Sequence, residues 1–147
     1  MAEESRAVLE VEAFLAKWPK EQHLVRDCFR SLYQEMRAMA GVRLNFSARP
    51  GVSYSLRPSH DRLPGREFFA IVDVVDDEPH NRWLSVCFYD DYITDPEERG
   101  ECIPGGLPGG DGYCFNVNAD DIGLVGYLIT RLHEARAASA GEGIVII

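Results

Sequence analysis

The chain lacks any apolar run near the ~18 residues that span a bilayer, and it has no internal repeat or low-complexity tract. A membrane span and a solenoid are thereby excluded. Its four cysteines, Cys28, Cys87, Cys102 and Cys114, form no C-x-x-C, and none has a histidine at ligand spacing, so the pattern of a zinc site is missing. There is no G-x-S-x-G elbow, and His23, His60, His80 and His133 are scattered, which leaves no nucleophile signature. His60 falls in a connecting loop and is expected at the surface. The stretch from Gly100 to Gly112 is rich in glycine, yet it has no lysine, carries acids and leads into a strand. It is a turn region and not a phosphate loop. No cofactor or metal is expected. The residues from Met1 to Ser5 are acidic and lack a signal-peptide core, which predicts the cytoplasm. In that compartment a Cys102–Cys114 disulfide is disfavoured, and Cys28 and Cys87 read as inert small hydrophobes.

Positive charge is also scarce. Fifteen basic residues face 24 acidic ones, a net charge of −9, which argues against general binding to nucleic acid. The imbalance is local. Residues 42–75 hold five arginines and three acids, whereas residues 76–121 hold twelve acids against Arg82 and Arg99.

What is present is a clear change of period. Val8, Val11, Phe14, Leu15 and Trp18 recur at helical spacing and predict a helix over 5–18. Beyond Pro19 a second helix carries Val25, Cys28, Phe29, Leu32, Met36 and Met39 on one stripe, and Gly41 ends it. Val42, Leu44, Phe46 and Ala48 then alternate with polar residues, as do Val52, Tyr54 and Leu56 after Pro50-Gly51. This is a hairpin. Pairing Ala48 with Val52 and Leu44 with Leu56 gives a three-residue loop, and it sets Arg43 directly opposite Arg57. Residues 67–75 and 83–89 predict a second hairpin, with Phe68, Ala70, Val72 and Val74 on one face and Phe69, Ile71, Asp73 and Val75 on the other. Residues 90–112, with three prolines and six glycines, are expected as a long acidic loop, more mobile than the sheet unless a cation or the arginine segment holds it. Its acids do not match the spacing of an EF-hand. Residues 113–117 make a fifth strand, and Asn118 caps a helix whose stripe is Ile122, Val125, Leu128, Ile129 and Leu132. The fold class is therefore α+β, one domain over 1–147: a two-layer sandwich with a five-stranded antiparallel sheet and helices on one face. Residues 137–147 form a C-terminal extension ending in an apolar Ile144–Ile147 run.

The face away from the helices carries the candidate site. Trp83 and Tyr89 give it apolar walls, and Arg43, Asn45, Ser55 and Arg57 supply polar groups, which is the character of a ligand or partner site. Asp73 stands in mid-strand on the same face. Two like charges directly opposite are destabilising, so something negative belongs between Arg43 and Arg57: Asp73 itself, or a small anion held with help from Asn45 and Ser55. The leading reading is a binding or interaction module whose partner is a small anion or a protein. The alternatives are an enzyme with Asp73 as its acid/base group and a nucleic-acid binder along the arginines. The apolar content of this face, together with the C-terminal run, predicts self-association.

The segment from Gly110 to Ile122, running on to Leu132, resembles the close of small YjbR-like proteins, where a strand enters a capped helix that completes an α–β–α sandwich. That family is described as DNA-binding, without an established activity. The resemblance implies the fold and assigns no functional residue.

Overall fold

Amphipathic periodicity decides the helices. The computed structural model describes residues 2–141, with side chains from residue 6 onward, and its helices are α1 (Ala2–Lys17), α2 (His23–Ala38) and α3 (Val125–Ser139). The stripe of α2, Val25, Cys28, Phe29, Leu32 and Met36, is buried in full, and Tyr33 joins it. Each such side chain contributes roughly 1.5–3 kcal/mol by leaving water. Pro19 opens a 3-10 turn, Lys20–Gln22, ahead of α2, and α2 stops at Met39, two residues before Gly41 takes a left-handed φ of 76°. The entry into α3 is similar. The backbone N–H of Asn118 donates to the Asp121 carboxylate at 3.1 Å, and a 3-10 segment, Ala119–Leu124, precedes α3. A 3-10 turn has three residues rather than 3.6, so the stripe changes phase. Leu124, Leu128, Leu132 and Ala135 are buried, whereas Ile122 is exposed. No described helix is long and apolar enough to cross a membrane.

The strands are β1 (Arg43–Arg49), β2 (Ser53–Ser59), β3 (Ala70–Val75), β4 (Trp83–Tyr89), β5 (Glu101–Leu107) and β6 (Gly110–Val117), in one antiparallel sheet of order β1-β2-β3-β4-β6-β5. The expected α+β class holds, with helices packed on one face through contacts such as Phe14 with Phe46 and Tyr54. The sheet has six strands, not five. The additional strand, β5, lies inside the stretch read as a loop, because Pro108-Gly109 is a hairpin turn in which Leu107 faces Gly110 and Gly109 has φ 75°. Proline followed by a left-handed glycine is the signature of a type II turn. The Ile144–Ile147 run lies outside the described residues.

Two register expectations are corrected. Val52 N–H donates to Arg49 C=O at 2.8 Å, and Gly51 has φ 82°, so Pro50-Gly51 are the centre of a type II turn and Val52 belongs to the turn. Asp76 fixes this geometry: its carboxylate accepts from Gly51 N–H at 2.8 Å, and its own N–H donates to Val52 C=O at 2.9 Å. The ladder therefore slips by two residues. Ala48 faces Tyr54, Asn45 faces Arg57 and Arg43 faces Ser59. A slip of two preserves the faces, so the inside/outside assignment of this hairpin holds while every partner changes. The second correction lies before β3. Phe69 packs on His60, which bonds to Ser139 of α3, whereas Phe68 stacks on Tyr89 under the guanidinium of Arg57. The alternation resets between Phe69 and Ala70, and the two phenylalanines exchange their expected faces.

Candidate functional site

On the face opposite the helices the ladder aligns one polar residue from each of five strands. Ser47 faces Ser55, Ser55 faces Asp73, Asp73 faces Ser85 and Ser85 faces Asn116. Asp73 is the only ionisable member of this row. Its Oδ1 is closed off from solvent and has no hydrogen-bond partner among the described residues. Burial raises its pKa above the ordinary carboxylate value, and the Ser55 hydroxyl and the positive charges of Arg57 and Arg49 oppose that rise. The expected Arg–Asp73 ion pair does not form among the described residues.

Arg43 and Arg57 are not opposed, so the like-charge clash that called for a counter-ion is absent. Arg43 pairs with the Asp61 carboxylate instead. Arg57 donates from Nε to Ser55 Oγ at 3.0 Å and lies 5.4 Å from the centroid of the Phe68 ring. No carboxylate stands within ion-pair distance of it among the described residues. Arg43, Asn45 and Arg57 nevertheless meet in one open cavity of about 650 Å³ along β1, with Arg6, Ser59, Glu10 and Glu67 also on its wall. The volume is of the order of small-molecule sites, ~300–1,000 Å³.

The other predicted residues are placed differently. Ser55 is buried beside Asp73. Trp83 is half-buried in the neighbouring row, facing Val75. Tyr89 is 1% exposed and belongs to the buried core. The Arg66 guanidinium covers its ring at 3.7 Å, Phe68 and Tyr92 flank it, and its hydroxyl donates to Pro108 C=O at 2.7 Å. A Cβ on Gly110 would come within 2.9 Å of this ring, so β6 approaches there only because that residue is glycine. Ile71, Phe68 and Tyr89 are thus covered within the chain, and the apolar surface that predicts self-association shrinks to the neighbourhood of Trp83 and Val75.

The acidic stretch is fastened rather than loose. Arg66 pairs with Asp91 at 3.0 Å, as the arginine-segment expectation requires. Asp95 accepts from Tyr113 Oη at 2.7 Å, from Tyr127 Oη, and from Arg99 and Gly100 N–H at 3.0 and 2.9 Å. These four donors hold its pKa down at about 2 against the opposing effect of burial. No group of metal-ligating side chains occurs among the described residues.

Sequence reasoning missed two polar features. His60 is buried, not at the surface: its Nδ1 accepts from Arg62 N–H at 3.1 Å, which leaves Nε2–H to donate to Ser139 Oγ at 2.7 Å. Burial and the charges of Arg136, Arg62 and Arg43 lower its pKa. The pairing Cys87–Cys114 was also missed; these two join as a disulfide across β4 and β6. Cys102 is free and exposed, so the disfavoured Cys102–Cys114 bridge does not form, whereas Cys87, read as an inert small hydrophobe, is disulfide-bonded. The missing signal was the register between β4 and β6, which sets Cys87 directly opposite Cys114. No family model, curated protein or solved structure matches the chain.

Proposed function

We propose that this chain is a cytoplasmic, non-enzymatic binding module that holds a small anion, a carboxylate or phosphate group, in the cavity along β1. The observation that carries this reading is Arg57, a guanidinium on the cavity wall with Asn45 and Ser59 beside it and no carboxylate partner among the described residues. Arginine forms its strongest hydrogen bonds with oxyanions. Three arginines there stand against Glu10 and Glu67, a balance that favours one compact anionic group over a polyanion. Together with the net charge of −9 this directs the module away from nucleic acid. The likeness of residues 110–132 to YjbR-like proteins is accordingly proposed for the fold and not for DNA binding.

The test is thermal unfolding in inorganic phosphate and in succinate, at constant ionic strength. A ligand that binds only the folded chain raises Tm with concentration. The wild type is expected to gain with one or both probes and Arg57→Gln to gain nothing. Equal gains in the two proteins overturn the reading, as does no gain in the wild type.

A second reading has its own observation. The Oδ1 of Asp73, without a hydrogen-bond partner among the described residues, has with its raised pKa the character of a general acid/base. NMR titration of the Asp73 carboxyl in the presence of each probe separates the two. A bound anion that offsets Arg57 removes one influence holding the Asp73 pKa down and raises it further. A probe that binds without moving it places the anion away from Arg57.

A further inference from the structure

We propose that the Cys87–Cys114 pair is a thiol–disulfide exchange site for a low-molecular-weight thiol, entered at Cys114. Three observations, all separate from the β1 cavity, carry this. The two cysteines face each other directly across β4 and β6, with Cα atoms 4.1 Å apart, the close spacing of a cross-strand pair. Both are partly exposed, on the face without helices. Cys114, but not Cys87, lines a second open cavity of about 510 Å³, whose wall includes Ser85, Arg99 and Asn116. In the cytoplasm, where we place this chain, a disulfide of this kind is ordinarily transient and functional rather than structural.

The geometry assigns a direction. A thiolate enters the cavity, where Arg99 and the Asn116 amide offer donors to its carboxylate or amide groups and Glu101 limits the charge. It attacks Cys114 Sγ. The new bond is R–S–S–Cys114, the Cys87–Cys114 bond breaks, and its electron pair leaves on Cys87 Sγ. Ser85 Oγ lies 3.6 Å from that sulfur, and once Cys87 is a thiolate only the serine can donate. Ser85 is a positioning residue that stabilises the leaving group, since leaving thiols depart faster when their thiolate is stabilised. Cys87 then takes a proton from water. A second thiolate attacks the sulfur of R, releasing the oxidised disulfide R–S–S–R and the Cys114 thiolate, which is protonated. Two electrons have passed from two small thiols to the protein. The flanking ladder from Leu84–Val117 to Tyr89–Gly112 keeps the two thiols opposite, ready for the reverse reaction.

The experiment uses the full chain with Cys102→Ser, which removes the exposed thiol; Cys28 is buried. The oxidised protein is mixed with reduced glutathione, quenched in acid and mapped by mass spectrometry. The first adduct is expected on Cys114 in about tenfold excess over Cys87. Ser85→Ala is expected to slow its formation about threefold or more, with Tm unchanged. With Cys87→Ser added and glutathione disulfide supplied, Cys114 is expected to remain glutathionylated. Equal adducts on both cysteines, two free thiols after diamide treatment, or no reaction at concentrations of reduced glutathione that reduce cystine under the same conditions would each overturn the proposal. None of these readouts depends on the phosphate or succinate response, so either proposal can fail alone.

Discussion

Asp76 and Asp73 stand three residues apart in one sequence, each between a hairpin strand and an arginine, and their surroundings are opposite. Asp76 is 3% exposed and saturated: Oδ1 accepts from Arg82 Nε at 2.7 Å and Oδ2 from Gly51 N–H at 2.8 Å. Arg82 in turn lies 5.1 Å from the Phe14 and Trp18 ring centroids. Asp73 has one oxygen without a donor among the described residues, and its arginine, Arg57, turns to a serine and a ring. The first pair ties two hairpin turns and the helix layer together. The second has groups that the fold does not use up, and unsatisfied buried acceptors persist where something other than stability retains them. The difference between the two aspartates separates the frame from the site.

Four measurements sharpen that division. Asp76→Asn is expected to have the largest effect, a loss of about 3–5 kcal/mol in denaturant unfolding, because Arg82 stays buried without its counter-charge. Asp73→Asn is expected to do the reverse and raise stability at neutral pH by about 1 kcal/mol, since the amide carries no charge to desolvate. The pH dependence fixes the sign. The Asp73 pKa is raised in the folded chain above the ordinary 3.8, so its favourable contribution is complete below that value and disappears as pH rises through the folded pKa. In Asp73→Asn this decline is removed. If instead Asp73→Asn proves as damaging as Asp76→Asn, the two aspartates are one class and the comparison collapses.

His60 belongs with Asp76 as a satisfied group, but only in its neutral form. Its pKa is lowered from the ordinary 6.5, so the unfolded chain binds the proton first as pH falls. The stability it contributes is complete above 6.5 and is lost as pH drops toward the folded pKa. Tm measured between pH 7.5 and 5 is expected to fall less in His60→Gln than in the wild type. Arg43→Ala should have the smallest effect. Its pair with Asp61 is exposed, and such pairs contribute about 0–1 kcal/mol; equilibrium unfolding is expected to shift by less than 0.5 kcal/mol on that scale.

Much of the frame was legible. Periods of two and 3.6 located α1, α2, α3 and five strands, and faces survived even where partners did not, because the hairpin slipped by an even number. What failed was information held outside each segment. Asp76 moves Val52 into the turn from 24 residues away in sequence. The reset at Phe68–Phe69 follows from Arg57 and Tyr89 claiming one ring and His60 the other. Strand β5 was hidden because Glu101-Cys-Ile-Pro-Gly-Gly-Leu107 has no alternation to read, although Pro108-Gly109 signals a turn as clearly as Pro50-Gly51. Of the site, Asp73 and its neighbours on the outer face were visible from phase alone. The row from Ser47 to Asn116 required registers that no single strand contains, and Cys87 could not be matched with Cys114 without the register of β4 against β6.

The strand order leaves β1 and β5 as the two rims of the described sheet. An open rim is a template on which a further copy can stack and begin a fibril. Here β1 is bounded by exposed charges, Arg43 and Arg49, and like charges would be brought together by any copy aligning with it. Strand β5 is interrupted by Pro104, which has no N–H to offer, and its pairing with β6 shifts between Ile103 and Leu107. Neither rim is a flat, unbroken ladder. A further copy therefore finds no continuous row of free backbone groups to extend at either rim of the described sheet.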